Sequence, residues 1–329
     1  MPVPLSILDL ASISEGSSAR QAIADSMAAA RLADRLGYRR LWFAEHHNTI
    51  NLAASATSLL IGQAASVTER IRVGSGGVML PNHAPLMVAE QYGTLANMHP
   101  DRIDLGLGRA PGTDMMTARA LSRSSAEPQE FAQHIYDLQG WFGAEGTARS
   151  IPIQSAVSAG TEVPIWVLGS TVNGASIAGQ LGLPFSLASH FAPEQIDDAL
   201  QVYRDTFNPT AITAQISEPY AMVGINVLVA DTDEEAEREF TTIEQMFLDI
   251  RTGQRRLIQP PVDPEQLADQ RGGALSALRV KAVGSPQTAT AQLREFADRT
   301  GADELITVTY AFDPAVRKRS LELLAENWL

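Results

Sequence analysis

Two adjacent histidines follow an apolar segment and an acidic residue, and imidazole is the side chain best suited to proton transfer near neutral pH. The segment, residues 41–44, has the length of a strand, and Glu45-His46-His47 follows it. Because neighbouring residues of a strand face opposite ways, one histidine can point into a site while the other packs behind it. This geometry disfavours a metal site built from both. We predict one imidazole that donates or accepts protons, oriented by Glu45 or a backbone group, although two satisfied histidines at a strand end explain the same residues.

A second group of residues is suited to binding an anion. Arg109 follows a glycine-rich strand, residues 102–109, where its fork of donors can reach a phosphate or pair with a surface carboxylate. Gly169, Ser170 and Thr171 lie between a predicted strand and a predicted helix. Such a turn offers free N–H groups and a favourable dipole to a phosphate, although the hydroxyls can instead cap the helix. If the two strands are neighbours, both groups can meet one phosphate.

Gly76 and Gly77 interrupt an apolar run, residues 71–80, that otherwise suits a central strand. Glycine in a strand costs entropy and buries no side chain. The pair therefore indicates a backbone that a flat ligand approaches closely, or a strained peptide. A bulge or bend in the strand explains it equally well.

Eight apolar segments of strand length must position these residues, and helical patterns separate almost all of them. They are residues 5–10, 41–44, 71–80, 102–109, 164–171, 185–190, 221–230 and 305–310. Short strand–helix–strand connections imply parallel pairing, and this alternation favours a (β/α)8 barrel with its chemistry at the carboxyl ends of the strands. We predict a single domain over residues 1–329, with insertions at about 110–163 and 251–282. An open doubly wound sheet is the alternative, but its Gly-x-Gly-x-x-Gly and Gly-Lys-Ser/Thr phosphate loops are missing.

The composition narrows the class of protein. The chain has 329 residues, of which 45% are hydrophobic, and a formal charge of −13. We expect no nucleic-acid binding, which needs a basic face, and no membrane span, which needs about 20 consecutive apolar residues. The absence of cysteine excludes disulfides and cysteine-ligated metals, and we predict no metal site. With no signal-peptide pattern at the amino terminus, a cytoplasmic enzyme acting on small molecules fits best.

Three segments carry a resemblance to a known family. Gly37-Tyr38 followed by residues 41–47, then residues 73–81, then residues 102–109 resemble the bacterial luciferase-like flavin-dependent monooxygenases. The resemblance extends from Pro4 to about Thr113 and returns at residues 164–190 and 283–304. It is greatest for single-chain, alkanal monooxygenase-like members rather than for the light-emitting subunits.

The resemblance implies a (β/α)8 barrel that binds reduced FMN, supplied by a separate flavin reductase. In this family reduced FMN reacts with O2 to give a C4a-hydroperoxyflavin, which would oxidise a small organic substrate such as an aldehyde. The resemblance also implies a homodimer formed through early helices of the barrel. Its catalytic histidine corresponds to His46, and the strained, often cis, peptide beneath the flavin ring corresponds to Gly76-Gly77. Its phosphate-binding groups correspond to Arg109 and to the turn of Gly169, Ser170 and Thr171.

Two other functions remain open at this point. Some barrels of this superfamily use deazaflavin (F420) for hydride transfer in place of FMN. Others bind flavin without known turnover, so a non-catalytic flavin-binding protein is the third hypothesis.

Overall fold

The chain is described by a computed structural model that covers residues 2–110, 112–121, 127–271, 273 and 275–329. The strands are β1 (Leu5–Asp9), β2 (Arg40–Phe43), β3 (Arg72–Ser75), β4 (Val78–Met79), β5 (Ile103–Gly108), β6 (Ile165–Gly169), β7 (Phe185–Leu187), β8 (Ala221–Val229), β9 (Lys281–Gly284) and β10 (Glu304–Val308). The helices are α1 (Ala19–Leu36), α2 (Thr57–Ser66), α3 (Pro85–Met98), α4 (Met115–Ala120), α5 (Pro128–Phe142), α6 (Val172–Gln180), α7 (Ile196–Thr206), α8 (Asp233–Thr252), α9 (Ala268–Arg271), α10 (Pro286–Thr300) and α11 (Pro314–Trp328).

Eight parallel strand positions close into a barrel. The order around it is β10-β1-β2-β3-β5-β6-β7-β8, and β8 pairs with β10 to complete the ring. The prediction of a (β/α)8 barrel is therefore confirmed. The carboxyl ends of all eight strands meet at one mouth, which brings residues that are far apart in the sequence into one place.

Two predicted elements differ from the structure. The run 71–80 is two strands rather than one, because β3 ends at Ser75 and β4, which pairs with β5, begins at Val78. The insertion 251–282 has no clear sequence period, yet it contains α9 and leads into β9, which pairs with the second half of β8. This four-residue strand was missed because its pairing depends on the unusual length of β8 rather than on a local pattern. Residues 111, 122–126, 272 and 274 of the predicted insertions lie outside the described residues.

Alternate residues of each strand fill two separate cores, as the period of two requires. The inner core, inside the barrel, includes Leu8, Trp42, Trp166, Met222 and Ile306. The outer core lies between the strands and the surrounding helices, and it takes the intervening residues of the same strands. Consequently, an even-numbered residue of β2 or β8 faces the barrel interior.

The first helix shows why the sequence folds locally as it does. Ser18 accepts a hydrogen bond from the N–H of Gln21 and caps the amino end of α1. Gly37 ends the helix with φ at 89°, a conformation that glycine adopts without the steric cost of a side chain. Within the described residues, no helix is long and apolar enough to cross a membrane.

Candidate active site

His46 lies at the mouth of the barrel, in line with side chains that fill the interior. Trp42 and Ala44 belong to the inner core, and His46 continues this two-residue spacing beyond the end of β2. Its charge affects the pKa of His190, which follows β7, so the two imidazoles lie within electrostatic range of each other. The sequence left the role of His190 undecided, and only closure of the barrel brings it beside His46.

Glu45 organises the other histidine of the pair. Its buried carboxylate accepts hydrogen bonds from Nε2 of His47 at 2.9 Å and from Nε2 of His83 at 2.9 and 3.0 Å. It also accepts the backbone N–H of Met79 at 3.1 Å. Because a carboxylate only accepts, both Nε2 atoms carry the proton. Burial alone would raise the pKa of Glu45, but these hydrogen bonds together hold that pKa below its usual value.

Backbone groups, rather than the Glu45 side chain, hold His46 by hydrogen bonds. The N–H of His46 donates to the carbonyl of Ala54 at 2.8 Å, and its own carbonyl accepts from Oγ of Ser55 at 2.8 Å. The imidazole hydrogen-bonds the backbone of Gly112. Of the two predicted ways of orienting this histidine, the structure therefore shows the backbone one.

Both mouth histidines are shifted toward the neutral form. Burial lowers the pKa of His46 below its ordinary value; the charge of Glu45 opposes this shift, while that of His47 reinforces it. Burial also lowers the pKa of His190 to about 4, and the charge of His46 adds to the effect. A neutral imidazole can accept a proton at pH 7, so His46 is in the state that a general base requires.

The glycine pair lies between the strand that leads to His46 and the strand that ends at Arg109. The peptide bond between Gly76 and Gly77 is cis, and the N–H of Gly76 donates to the carbonyl of Phe43 at 2.8 Å. A Cβ on Gly76 would lie 2.6 Å from Cδ1 of Leu8, and a Cβ on Gly77 would lie 2.7 Å from the carbonyl oxygen of Gly106. Packing inside the barrel is sufficient to require both glycines. It also leaves bare main chain between the two strands.

Arg109 and the turn after β6 are brought together by the strand register. Leu105 is paired with Ile165 and Leu107 with Val167. Continuing this register by two residues places Arg109 beside Gly169. The half-buried Arg109 makes polar contacts within the protein.

The turn that follows Gly169 leads directly into α6. Thr171 occupies the N-cap position, but its side chain makes no capping hydrogen bond. The N–H of Val172 instead donates to Oε1 of Gln195 at 3.2 Å. Capping by Thr171, the alternative explanation of this turn, is therefore not observed. Gln195 was missed, because nothing in the sequence indicates a partner 23 residues away.

Loops from three parts of the chain are joined across the rim of the mouth. The N–H of Ile13 donates to the carbonyl of Asn51, and the N–H of Ile258 donates to the carbonyl of Ile13. Asn48 accepts from Arg255 through its side-chain oxygen at 3.1 Å and donates to Asp114 at 2.7 Å. These bonds tie the loops after β1, β2 and β5 to the segment between α8 and β9. The sequence predicted the insertions but not these links.

The fold and the mouth together define a class of protein: a (β/α)8 barrel with a neutral histidine facing an arginine and a strand-to-helix turn. The luciferase-like monooxygenase family model matches residues 3–304, and the chain belongs to this family. The family comprises flavin-dependent enzymes, and the chain is an oxygenase.

Relatives with curated descriptions cover nearly the whole chain. It is 43% identical to a luciferase-like monooxygenase of Escherichia coli (strain K12) over 328 residues, which are 98% of this chain and 96% of the relative. It is equally similar to the Bacillus subtilis protein YvbT, with the same coverage over 327 residues. A more distant B. subtilis relative, N-acetyl-S-alkylcysteine monooxygenase, is 32% identical over 256 residues, or 77% of this chain and 75% of the relative.

Solved structures show the same architecture. Apo-MsnO8 is 35% identical, with a TM-score of 0.90 and coverage of 99% of this chain and 98% of its own. The FMN complex of the oxygenating constituent of 3,6-diketocamphane monooxygenase is 22% identical, with a TM-score of 0.75, and covers 100% of this chain and 98% of its own. An F420-dependent secondary alcohol dehydrogenase is 12% identical, with a TM-score of 0.66 and coverage of 98% and 99%. The last two show likeness of fold alone.

Proposed function

We propose that the protein is an FMN-dependent monooxygenase that uses reduced FMN and O2 to oxidise a small organic substrate. The observation that carries the proposal is the arrangement of the mouth. His46, shifted toward its neutral form, follows one strand, and Arg109 beside the turn at Gly169 follows two neighbouring strands further around the barrel. The bare main chain of Gly76 and Gly77 lies between them.

The residues at one side of the mouth fit a phosphate group. Arg109 supplies a planar fork of donors, and α6 supplies N–H groups of its first turn, which have no acceptor within the helix. The hydroxyl of Thr171 is not used to cap α6. We therefore assign Arg109, Gly169, Ser170 and Thr171 to the phosphate of FMN.

The opposite side of the mouth fits a planar ring and a proton-transfer group. We assign Gly76 and Gly77 to the surface against which the isoalloxazine ring lies, because no side chain projects from them. When bound, reduced FMN would supply the electrons that activate O2. His46 would hold or move the proton that this chemistry requires, and the joined rim loops would limit the access of water.

The substrate and partners of the enzyme follow from the same proposal. We propose an aldehyde or another small organic molecule as the substrate; one relative is named for an N-acetyl-S-alkylcysteine. Because reduced FMN would enter as a co-substrate, a separate flavin reductase would supply it. We further propose a homodimer.

The proposal is tested by separating binding of the flavin from the reaction. Reduced and oxidised FMN are titrated anaerobically into wild-type protein and the Arg109→Ala, Arg109→Lys and His46→Ala variants. We expect Arg109→Ala to weaken binding at least about tenfold, because a charge-assisted contact with phosphate is lost. Arg119→Ala, which removes an exposed arginine of α4, is the control and should bind FMN normally. His46→Ala should bind FMN but fail to incorporate labelled oxygen into a substrate.

Deazaflavin-dependent hydride transfer is the second candidate, because an F420-dependent dehydrogenase shares the fold. Parallel titration with deazaflavin distinguishes the two functions. Tight binding of deazaflavin without measurable binding of FMN would refute the monooxygenase. Binding of FMN without oxygen incorporation into any of a panel of aldehydes and thioethers would favour a non-catalytic flavin-binding protein.

A further inference from the structure

A second concave site lies at the opposite end of the barrel, where the strands begin. Arg40 opens β2, Arg72 opens β3, and Tyr220 immediately precedes β8. These residues line a cavity of about 620 Å³, within the range typical of small-molecule sites. The cavity lies away from the mouth, so the function proposed above does not account for it.

The buried carboxylates of this cavity are fully occupied by the protein. Asp104, which has no exposed surface, accepts from Nη1 of Arg40 at 2.7 Å, from Nη2 of Arg72 at 2.7 Å and from Nε1 of Trp42 at 3.1 Å. Glu304 lies behind the wall and is also completely buried. It accepts from Nε of Arg40 at 3.0 Å and from the hydroxyl of Tyr220 at 2.9 Å. An incoming anion therefore meets carboxylates that are already neutralised.

Two other arginines of the cavity retain free donors. Arg39 is 48% exposed, and its one ion pair joins Nε to Oε2 of Glu304 at 3.4 Å. Nη1 of Arg149 donates to Oε1 of Gln139 and to the carbonyl of Ile212, each at a long 3.3 Å. Within the described part of the chain, neither Nη atom of Arg39 and no Nη2 of Arg149 has a hydrogen-bond acceptor. These donors can accept an anion without breaking the buried network.

The charge of the cavity is opposite to that of the whole chain. Four arginines line it, and three carboxylates, Asp104, Glu162 and Glu304, lie on or directly behind its wall. One positive charge is therefore in excess, in a protein whose formal charge is −13. A single excess charge matches a monoanion better than a phosphate or a polyanion.

Apolar side chains form the rest of the wall. Phe142, Pro164, Trp166, Pro184 and Ile216 all line the cavity. The guanidinium of Arg40 lies 4.8 Å from the centre of the Trp166 ring, which fixes one face of that indole. A ligand that used only the arginines would leave these surfaces in contact with water. The wall therefore selects a ligand with an apolar body as well as a charge.

We propose that this cavity binds a small organic carboxylate, in which the carboxylate meets Arg39 and Arg149 and an apolar or aromatic body packs on the wall around Trp166. Arginine forks match a carboxylate in a bidentate geometry, and partial burial in a concave site strengthens the pair. The site is independent of FMN and of the reaction at the mouth.

The proposal is tested with sodium benzoate as the probe, titrated calorimetrically and by tryptophan fluorescence at constant ionic strength. We expect saturable binding of one benzoate per chain, with a change in fluorescence because Trp166 lines the cavity. Benzamide lacks the charge and acetate lacks the apolar body, so each should bind at least about tenfold more weakly. Inorganic phosphate should be equally weak; binding as tight as that of benzoate would overturn the choice of an organic carboxylate.

Variants locate the binding. Arg39→Ala and Arg149→Ala should each lower the affinity for benzoate at least about tenfold, and Arg149→Lys should restore only part of it because the planar fork is lost. Arg20→Ala, which removes an exposed arginine at the start of α1, should leave the affinity unchanged. Circular dichroism confirms that each variant is folded.

Three results would refute the proposal. They are binding that does not saturate below about 10 mM, equal binding of benzamide, and unchanged affinity in the double variant of Arg39 and Arg149. Loss of affinity in Arg109→Ala instead would place benzoate at the mouth and would also overturn it. None of these results affects the titration of FMN, so the two proposals fail separately.

Discussion

His190 should make the protein less stable as the pH falls below neutrality. Its imidazole is 9% exposed, its ring lies against Gly224, and its Nδ1 has no hydrogen-bond partner among the described residues. Burial lowers its pKa to about 4 in the folded protein, and the charge of His46 contributes. An unfolded histidine has a pKa of about 6.5. Between these two values the unfolded chain binds a proton that the folded protein excludes.

The sign and size of the effect follow from this difference. Above about pH 6.5 both states are neutral at this position and the contribution is constant. As the pH falls from about 6.5 to about 4, the unfolded state is increasingly favoured, by about 3 kcal/mol in total at about 1.4 kcal/mol per pKa unit. The His190→Gln variant should not show this part of the loss. Its stability at pH 7 can differ from that of the wild type, since ring packing is also changed, so the slope with pH is the informative quantity.

Urea unfolding followed by circular dichroism at several values between pH 7.5 and pH 4 measures the slope. Constant m-values across the series confirm that the same transition is compared. His134→Gln, which removes a histidine of α5 outside the barrel interior, is the control and should follow the wild type. Parallel curves for the wild type and His190→Gln over the whole range would refute the argument.

Three further predictions concern the mouth, the barrel interior and the surface. Because burial holds the pKa of His46 below its ordinary value, activity should be level near pH 7 and fall only as the pH drops below about 6.5; a pH–rate profile of kcat/KM for the wild type, in which activity persists unchanged on acidification, would exclude His46 as the base. A Cβ on Gly106 would lie 2.1 Å from the carbonyl oxygen of Ser75, so Gly106→Ala should destabilise the protein by about 3 kcal/mol or prevent folding, measured by urea unfolding. Leu59 of α2 and Met98 of α3 are 74% and 62% exposed, so a double substitution to arginine should convert a homodimer to a monomer in light scattering; an unchanged mass would exclude this face.

Much of the fold could be predicted because it depends on local patterns. The eight strand segments are continuous apolar runs, and α1 carries its own start and stop signals in Ser18 and Gly37. The split between β3 and β4 could not be predicted, because it depends on how Gly77 packs against Gly106 on a neighbouring strand. The prediction of one continuous domain and the assigned roles of the mouth residues stay predictions.

The sequence by itself determined which residues stand at the carboxyl ends of strands, because strand length and alternation are local properties. It therefore placed His46, Arg109 and Gly169 at one mouth. The tertiary structure alone decided their partners. Glu45 binds His47 and His83 rather than His46, Gln195 caps α6, and arginines from separate segments converge at the far end of the barrel. These contacts join residues distant in the chain, and their geometry exists only once the barrel has closed.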